Sequence, residues 1–199
     1  MTTLYKLTDS EMRTHGGFQW TLGVPAPKLS GKGNLCGPGW YHLYTDPLLA
    51  VLQDPIHGDR GHGERLFEAT GEVGITDHGL MVGCRMPTLV REIPLPVVTT
   101  EQRVRFAIFC SLAVPQSEAY RAWARAWLSG ADRTEVTARA AADAAWTADA
   151  AAAARAARSA AWAAAKAARW ATRAERAAAA AAQLDLVALA RKAMSEEGA

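Results

Sequence analysis

The sequence predicts an α+β protein in which a small, β-rich N-terminal domain is followed by an all-α, alanine-rich helical bundle or long helix. Of residues 131–182, 30 of 52 are alanine, the residue with the highest helix propensity. No glycine or proline lies between Gly130 and Gly198. By contrast, 14 of the 16 glycines and eight of the nine prolines lie in residues 1–98, where they favour turns between short strands. We therefore divide the chain into two domains, 1–98 and 99–199.

Short strands are expected in the first domain. Phe18, Trp20 and Leu22 alternate with the polar residues Gln19 and Thr21, which is the period-two pattern of a strand with one buried face. Other segments are rich in the aromatic and branched residues that favour strands. They are 40–44, 65–70 and 89–93, with a segment 79–83 between the last two.

One short helix is expected in the same domain. Asp46 is of a type that caps helix N-termini, and Pro47 suits the first helical position. The helix would continue through four apolar residues, Leu48, Leu49, Val51 and Leu52. Three glutamates recur at intervals of four around the strand candidate 65–70, and we interpret them as solvent-facing charge. They are Glu64, Glu68 and Glu72.

The second domain is expected to be helical throughout. Its first helix begins at 99–102, Thr-Thr-Glu-Gln, which resembles a capped start. Pro115 separates this helix from a second one, 116–128. The apolar side of the first helix comprises Val104, Phe106, Ile108, Phe109, Leu112 and Ala113. The second helix carries three aromatic residues at spacings of three and four, namely Tyr120, Trp123 and Trp127.

The alanine tract begins after Gly130, which ends the second helix. Asp132, with Glu135 three residues later, resembles a capping box that starts the next helix. As one helix, 132–182 would be roughly 75 Å long, so we favour two or three folded-back helices. A long rod, paired between subunits, is the alternative. A last helix is predicted from Asp185 through the apolar residues Leu186, Leu189 and Met194.

Composition and charge limit the class of protein. A chain of 199 residues allows one domain or two small ones. Residues 1–100 carry eight basic and ten acidic side chains, a net charge of −2, whereas residues 101–199 carry 14 and ten, a net charge of +4. Because this excess is modest, charge alone does not indicate a nucleic-acid-binding protein.

The cysteine content and the hydropathy pattern indicate a cytoplasmic protein. Cys36, Cys84 and Cys110 are too few and too far apart for a disulfide framework. The first residues lack a basic segment followed by an apolar run, so no signal peptide is expected. Charged residues interrupt the alanine tract, and alanine is only weakly hydrophobic, so no membrane span is expected.

Basic residues and tryptophans recur along the alanine tract at intervals that place them on one side of a helix. This basic stripe would be about 33 Å long in a continuous helix. We favour a solvated face whose opposite side packs in a bundle, with the tryptophans in the core. The alternative is a ridge that binds an acidic protein or nucleic acid. The stripe consists of Arg155, Arg158, Trp162, Lys166, Arg169, Trp170, Arg173 and Arg176.

Several short motifs resemble an immunity-protein family of bacteria and phages, in which a small N-terminal domain precedes an alanine-rich helical region. The motifs are Gly17-Phe18-Gln19-Trp20, Leu35-Cys36, Gly39-Trp40-Tyr41-His42, Arg65-Leu66-Phe67-Glu68, Gly71-Glu72-Val73 and Arg105-Phe106-Ala107 before Cys110. Together with the alanine tract, they cover most of the chain. The resemblance implies a two-part layout and a non-enzymatic role in binding a protein partner, such as neutralising a toxin. It assigns no functional residues to this chain.

The N-terminal domain also contains residue types that could form a small site. Cys36, His42, His57 and His62 include zinc-ligand types, but their spacing matches no familiar zinc motif. We therefore expect no bound metal and no other cofactor. A thiolate at Cys36 or Cys84 with a histidine base is another arrangement considered, and nothing in the sequence orients such a pair. The glycine-rich segment 57–63 is interpreted as a surface loop.

We expect a non-enzymatic protein-binding module, immunity-like or a phage accessory or inhibitor protein, with no catalytic residues assigned. One alternative is a small enzyme or a nucleotide- or metal-binding domain centred on Cys36, His42, His57 and His62, with the helices as an oligomerisation module. A nucleic-acid binder that uses the basic stripe is the third hypothesis. Homo-oligomerisation through the alanine-rich helices also remains open.

Overall fold

The structure is a computed structural model that describes residues 2–35, 37–53, 63–77, 79, 81–113, 116–145 and 184–195. These residues form both strands and helices, so the chain is a mixed α and β protein. The chain divides into two compact units, Met1–Val97 and Val98–Ala199.

The described residues of the first unit form eight strands in three small antiparallel sheets. One sheet has the order β1-β5-β8, another the order β4-β7-β6, and β2 pairs with β3. The backbones of Tyr5 and Tyr44 link the two larger sheets through hydrogen bonds of 2.8 and 2.9 Å. The strands are β1 (Leu4–Thr8), β2 (Arg13–Thr14), β3 (Phe18–Gln19), β4 (Tyr41–Leu43), β5 (Arg65–Thr70), β6 (Val73–Asp77), β7 (Met81–Cys84) and β8 (Thr88–Ile93).

Several local predictions for this unit are confirmed. The segments 40–44, 65–70 and 89–93 match β4, β5 and β8 to within one residue at each end. Helix α1 (Pro47–Gln53) begins after Asp46, whose Oδ1 accepts a hydrogen bond of 2.8 Å from the backbone N–H of Leu48. That bond satisfies one of the N–H groups that a helix start leaves unpaired.

The strand predicted over Phe18, Trp20 and Leu22 is wrong beyond Gln19. Trp20 is buried, but Leu22 is 49 % exposed because the chain turns between Thr21 and Val24. The Val24 N–H donates to the Thr21 carbonyl, and Gly23 has φ +75°, which is the geometry of a type II turn. The tight turn needs glycine at this position since other residues rarely adopt positive φ.

The core of the first unit lies between residues of both larger sheets. Trp20 packs at its border, with its ring centroid 4.9 Å from that of Phe18 and 5.3 Å from that of Tyr41. Apolar burial of this kind is the main stabilising contribution in a small unit. The buried cluster comprises Leu4, Trp20, Ala26, Leu43, Phe67, Ala69, Val82, Cys84 and Leu89.

Four α-helices are described in the second unit. They are α2 (Thr100–Leu112), α3 (Glu118–Leu128), α4 (Glu135–Ala145) and α5 (Leu186–Ser195). The predicted capped start of α2 is confirmed, since Thr99 and Gln102 form a reciprocal capping box. The last helix also starts as predicted, with the Asp185 carboxylate accepting a hydrogen bond of 2.9 Å from the Ala188 N–H.

The capping box predicted for Asp132 and Glu135 is wrong. Helix α4 begins at Glu135, and Thr134 occupies the capping position, with its Oγ1 accepting from the Thr137 N–H at 3.4 Å. Asp132 instead accepts hydrogen bonds from the Thr134 N–H at 2.9 Å and the Thr137 hydroxyl at 3.0 Å. The carboxylate therefore holds the turn before the helix, two residues earlier than a cap would lie.

Helix α2 is buried on all sides from Arg103 to Ser111, whereas the sequence predicted one apolar side. It packs against α5 and α3, so it is central among the described helices. The predicted aromatic side of α3 is confirmed, since Tyr120, Trp123 and Trp127 are buried in a cluster with α2 and α4. These large side chains fill the core between the described helices α2, α3 and α4.

Candidate functional site

Most of the residues that the sequence singled out lie outside the described residues. This holds for the whole basic stripe and for three of the four metal candidates, Cys36, His57 and His62. The tract 146–183 also lies outside them, so the choice between a long helix and folded-back helices stays a prediction. Only His42 and Cys84 can be placed among the candidate chemical residues.

His42 lies in β4 and holds a neighbouring loop. Its Nε2 lies 2.5 Å from the carbonyl oxygen of Leu35, so this nitrogen carries the proton and donates it. A nitrogen engaged in this way is not offering a lone pair to a metal. Within the described ranges, no three His, Cys, Asp or Glu side chains are grouped to hold a metal ion.

Cys84 lies in β7 with its side chain in the core. Burial raises the pKa of its thiol to about 11, and the negative charge of Glu72 adds to this effect. Only the thiolate is a strong nucleophile, so Cys84 is unsuited to nucleophilic catalysis at neutral pH. The hypothesis of a catalytic thiol at Cys84 therefore lacks its chemical requirement.

The exposed large apolar side chains of the first unit concentrate around β8. Among the described residues there are seven, and six of them lie in β8, beside it in sequence, or in the turn that pairs with it. We call these six the β8 surface. They are Leu22, Val24, Met86, Val90, Leu95 and Val97, with exposed fractions from 37 to 89 %. The seventh, Val73, lies on β6 in the other large sheet.

Backbone hydrogen bonds bring the turn 21–24 to β8. The Gly23 N–H donates to the Leu89 carbonyl at 2.8 Å, and Pro25 forms an isolated bridge with Thr88. The residues that flank Gly23 in the chain, Leu22 and Val24, are both exposed. Exposed apolar residues from sequence regions more than 60 residues apart thus lie on backbone segments that are neighbours at the edge of β8.

Val90 is the extra residue of a bulge in β8. Glu68 of β5 lies opposite Arg91, and the next residue, Ala69, lies opposite Leu89, so Val90 has no partner on β5. A bulge leaves one extra residue outside the regular pairing and bends the strand. Leu89 is therefore directed into the core while the adjacent apolar Val90 is 48 % exposed.

The two charged residues of β8 are paired with β5 rather than unpaired. The Arg91 guanidinium donates two hydrogen bonds to the Glu68 carboxylate, at 2.7 and 2.5 Å. The Glu92 carboxylate accepts two from Arg65, at 3.0 and 2.5 Å. Glu68 had been interpreted as solvent-facing charge, but its side chain is only 22 % exposed because of this pairing.

The sequence predicts the strand 89–93 but indicates no role for it. One signal was available, since the adjacent Leu89 and Val90 interrupt the alternation expected of a half-buried strand. The contribution of Leu22 and Val24 was not visible in the same way, because it depends on which segment pairs with β8. Nothing local to residues 21–24 identifies that partner.

No family model matches this chain, and neither a curated protein nor a solved structure is significantly similar to it. None of the helices in the described parts of the chain is long and apolar enough to cross a membrane. Function is therefore inferred from the surface that the described residues form.

Proposed function

We propose that this chain is a non-enzymatic, cytoplasmic protein-binding module and that the β8 surface is its docking site. The observation that carries the proposal is the concentration of exposed apolar side chains there, with a single further one, Val73, in the rest of the described first unit. Scattered single apolar residues are normal on a protein surface, whereas a grouped set marks an interaction site.

The size of the surface sets what it can contribute to binding. Burial of a half-exposed apolar side chain contributes on the order of 1 kcal/mol. Leu22, Val24, Met86 and Val90 together would contribute about 4 kcal/mol on that basis. A micromolar complex requires about 8 kcal/mol. The surface is therefore sufficient as the centre of an interface, and other contacts must supply the remainder.

The role proposed for the module is that of an immunity-like or phage accessory inhibitor, which acts by occupying its partner. The short motifs that resemble an immunity-protein family support this role. The proposal includes an alanine-rich bundle in which 146–183 folds back. Its support is that α4 packs against α3 and α5 packs against α2, while α2 and α3 contact each other.

The test is affinity purification of the tagged full chain from its host lysate after crosslinking, with mass spectrometry of the co-eluting proteins. We compare the wild type with Val90→Lys. A lysine at the centre of a docking surface introduces a charge that binding would have to desolvate. We expect one dominant protein partner with the wild type, reduced about tenfold or more in Val90→Lys.

Val73→Lys is the matched control, because Val73 is an exposed valine on β6, a terminal strand of the other large sheet. It should retain the partner at the wild-type level. Val136→Lys on α4, where the valine is 77 % exposed, provides the same control in the second unit. Absence of any partner, or equal loss in all three variants, would contradict the proposal.

A further inference from the structure

The outer edge of β8, the side away from β5, is only half paired. The Gly23 N–H reaches the Leu89 carbonyl, and Pro25 bridges Thr88. Beyond Leu89, no described residue forms a backbone hydrogen bond with 90–93 from this side. From this side, the strand end 90–93 therefore has no described backbone partner and lies next to the apolar side chains of the β8 surface. Alternate residues of this strand end direct their N–H and C=O groups outward.

The internal pairing ends at Leu89 for a clear reason. On the N-terminal side of the turn 21–24, the chain leaves the edge of β8 and enters the core. Trp20 is buried there, and its backbone N–H donates to the Met12 carbonyl at 2.9 Å. The segment 23–26 therefore cannot continue along β8. No other segment in the described part of the chain forms backbone hydrogen bonds with 90–93 from this side.

The charged side chains of this edge protect it little against strand pairing. Edge strands are commonly protected by charged side chains, proline, β-bulges or a covering element, and β8 has a bulge at Val90 and a proline, Pro94, directly after its end. The charges of β8 are already neutralised, since Arg91 pairs with Glu68 on one face and Glu92 with Arg65 on the other. A strand that approached 90–93 would meet no net charge.

A second copy of the chain fits this edge poorly. In an antiparallel pairing related by a two-fold axis, directly opposed residues lie on the same face of the sheet. Each possible register is therefore centred on a residue that lies opposite the same residue of the second copy. Centres at Arg91 or Glu92 oppose like charges, which destabilises a pair. A register centred on Val90 would require the Leu89 carbonyl, which already accepts a hydrogen bond from the Gly23 N–H. A centre at Ile93 brings in Pro94, which has no N–H to donate.

We infer that the outer edge of β8 at 90–93 binds an extended, uncharged apolar segment of another protein, which adds a strand to the sheet β8-β5-β1. The inference rests on the proposed docking role of the β8 surface and specifies how it works. Backbone hydrogen bonds give such pairing its affinity, and alternate side chains give it specificity. The backbone hydrogen bonds also supply the further contacts that binding requires beyond those of the apolar side chains of the β8 surface.

The test uses the intact chain and a displayed library of random peptides of about 12 residues, a length typical of strand-adding segments. A selected peptide is synthesised, and its affinity is measured by fluorescence anisotropy for the wild type, Val90→Lys and Val73→Lys. We expect alternating apolar residues without charge in the selected sequences. Binding should be weakened about tenfold or more by Val90→Lys and unchanged by Val73→Lys.

Hydrogen exchange on the wild type gives a second readout that needs no variant. Amides in 90–93 that face outward should exchange about tenfold or more slowly when the selected peptide is saturating. Failure to select a peptide, protection elsewhere, or binding insensitive to Val90→Lys would overturn the inference. Protection of 90–93 through self-association of the free protein would do the same, since the occupant would then be a second copy.

The two proposals can fail separately. If the lysate partner depends on Val90 but leaves the amides of 90–93 unprotected, the β8 surface is a docking site and strand addition is wrong. If a selected peptide protects 90–93 while no lysate partner depends on Val90, the edge binds strands and the proposed cellular role is wrong.

Discussion

Arg91 of β8 and Glu68 of β5 lie directly opposite each other and form a two-pronged ion pair, with Nε–Oε2 and NH2–Oε1 distances of 2.7 and 2.5 Å. This pair lies beside the bulge at Val90, so it fixes the register of the strand just where the regular pairing is interrupted. The exposed edge of the sheet thus depends on a cross-strand pair for its shape.

We expect Glu68→Gln to lower the free energy of unfolding at pH 7, and the difference from the wild type to be smaller at about pH 3. The Arg91 guanidinium holds the pKa of Glu68 below its ordinary value. A carboxyl with a lowered folded-state pKa stabilises above its unfolded-state pKa, and this contribution is lost as the pH falls through the folded-state value. Urea denaturation at both pH values measures the effect.

Glu72→Gln is the control for that experiment, because Glu72 is exposed and forms no ion pair with the described residues. Its unfolding free energy should stay near the wild-type value at pH 7. If Glu68→Gln showed the same loss at pH 3 as at pH 7, the ionised pair would not be the source of the stability.

Cys84 should resist alkylation in the folded protein. With a pKa of about 11, its thiolate fraction at pH 8 is about two hundredfold smaller than that of an ordinary cysteine, and its side chain is buried. Iodoacetamide labelling followed by peptide mass spectrometry should modify Cys84 only after denaturant is added. Rapid labelling of Cys84 in the native protein would reopen the thiol-enzyme alternative.

Gly74→Ala should destabilise the protein by about 1–3 kcal/mol through overpacking. A Cβ at this position would lie 2.5 and 2.6 Å from Cζ3 and Cη2 of the Trp40 ring, which is a rigid group. Thermal denaturation of Gly74→Ala, Trp40→Leu and the double variant measures the coupling. The cost of Gly74→Ala should decrease in the Trp40→Leu background, and an unchanged cost would place its origin elsewhere.

Tyr120→Phe should leave stability unchanged or raise it by up to about 1 kcal/mol. The buried Tyr120 hydroxyl has no partner with regular hydrogen-bond geometry among the described residues, and its polar neighbour Ser111 donates to the Ala107 carbonyl at 2.9 Å. Burial raises the pKa of Tyr120 well above its ordinary value, and the nearby Ser111 hydroxyl offsets only part of this rise. Chemical denaturation measures the change.

Tyr41→Phe is the contrasting variant, because the Tyr41 hydroxyl donates to the Pro27 carbonyl at 3.0 Å. Its loss should cost about 0.5–1.5 kcal/mol. A cost of that size for Tyr120→Phe would mean that its hydroxyl has a partner in solution, such as a bound water.

Local signals in the sequence were sufficient for several elements. Asp46 and Pro47 predicted the start of α1, and Thr99 with Gln102 predicted the capped start of α2. Caps and strand propensities act between residues close in sequence, so they can be recognised without the fold. The strands β1 and β6 were missed because each carries a short and irregular pattern whose burial is set by its neighbours.

The sequence by itself determined that short strands and turns come first and that helices follow in the described parts of 98–199, since glycine, proline and helix caps act on the local backbone. Only the tertiary structure decided that the turn 21–24 lies beside β8, that Cys84 is buried, and that no described backbone pairs with the outer edge of β8 beyond Leu89. These features depend on which strands pair and in which register, and pairing between distant segments has no signature within either segment alone.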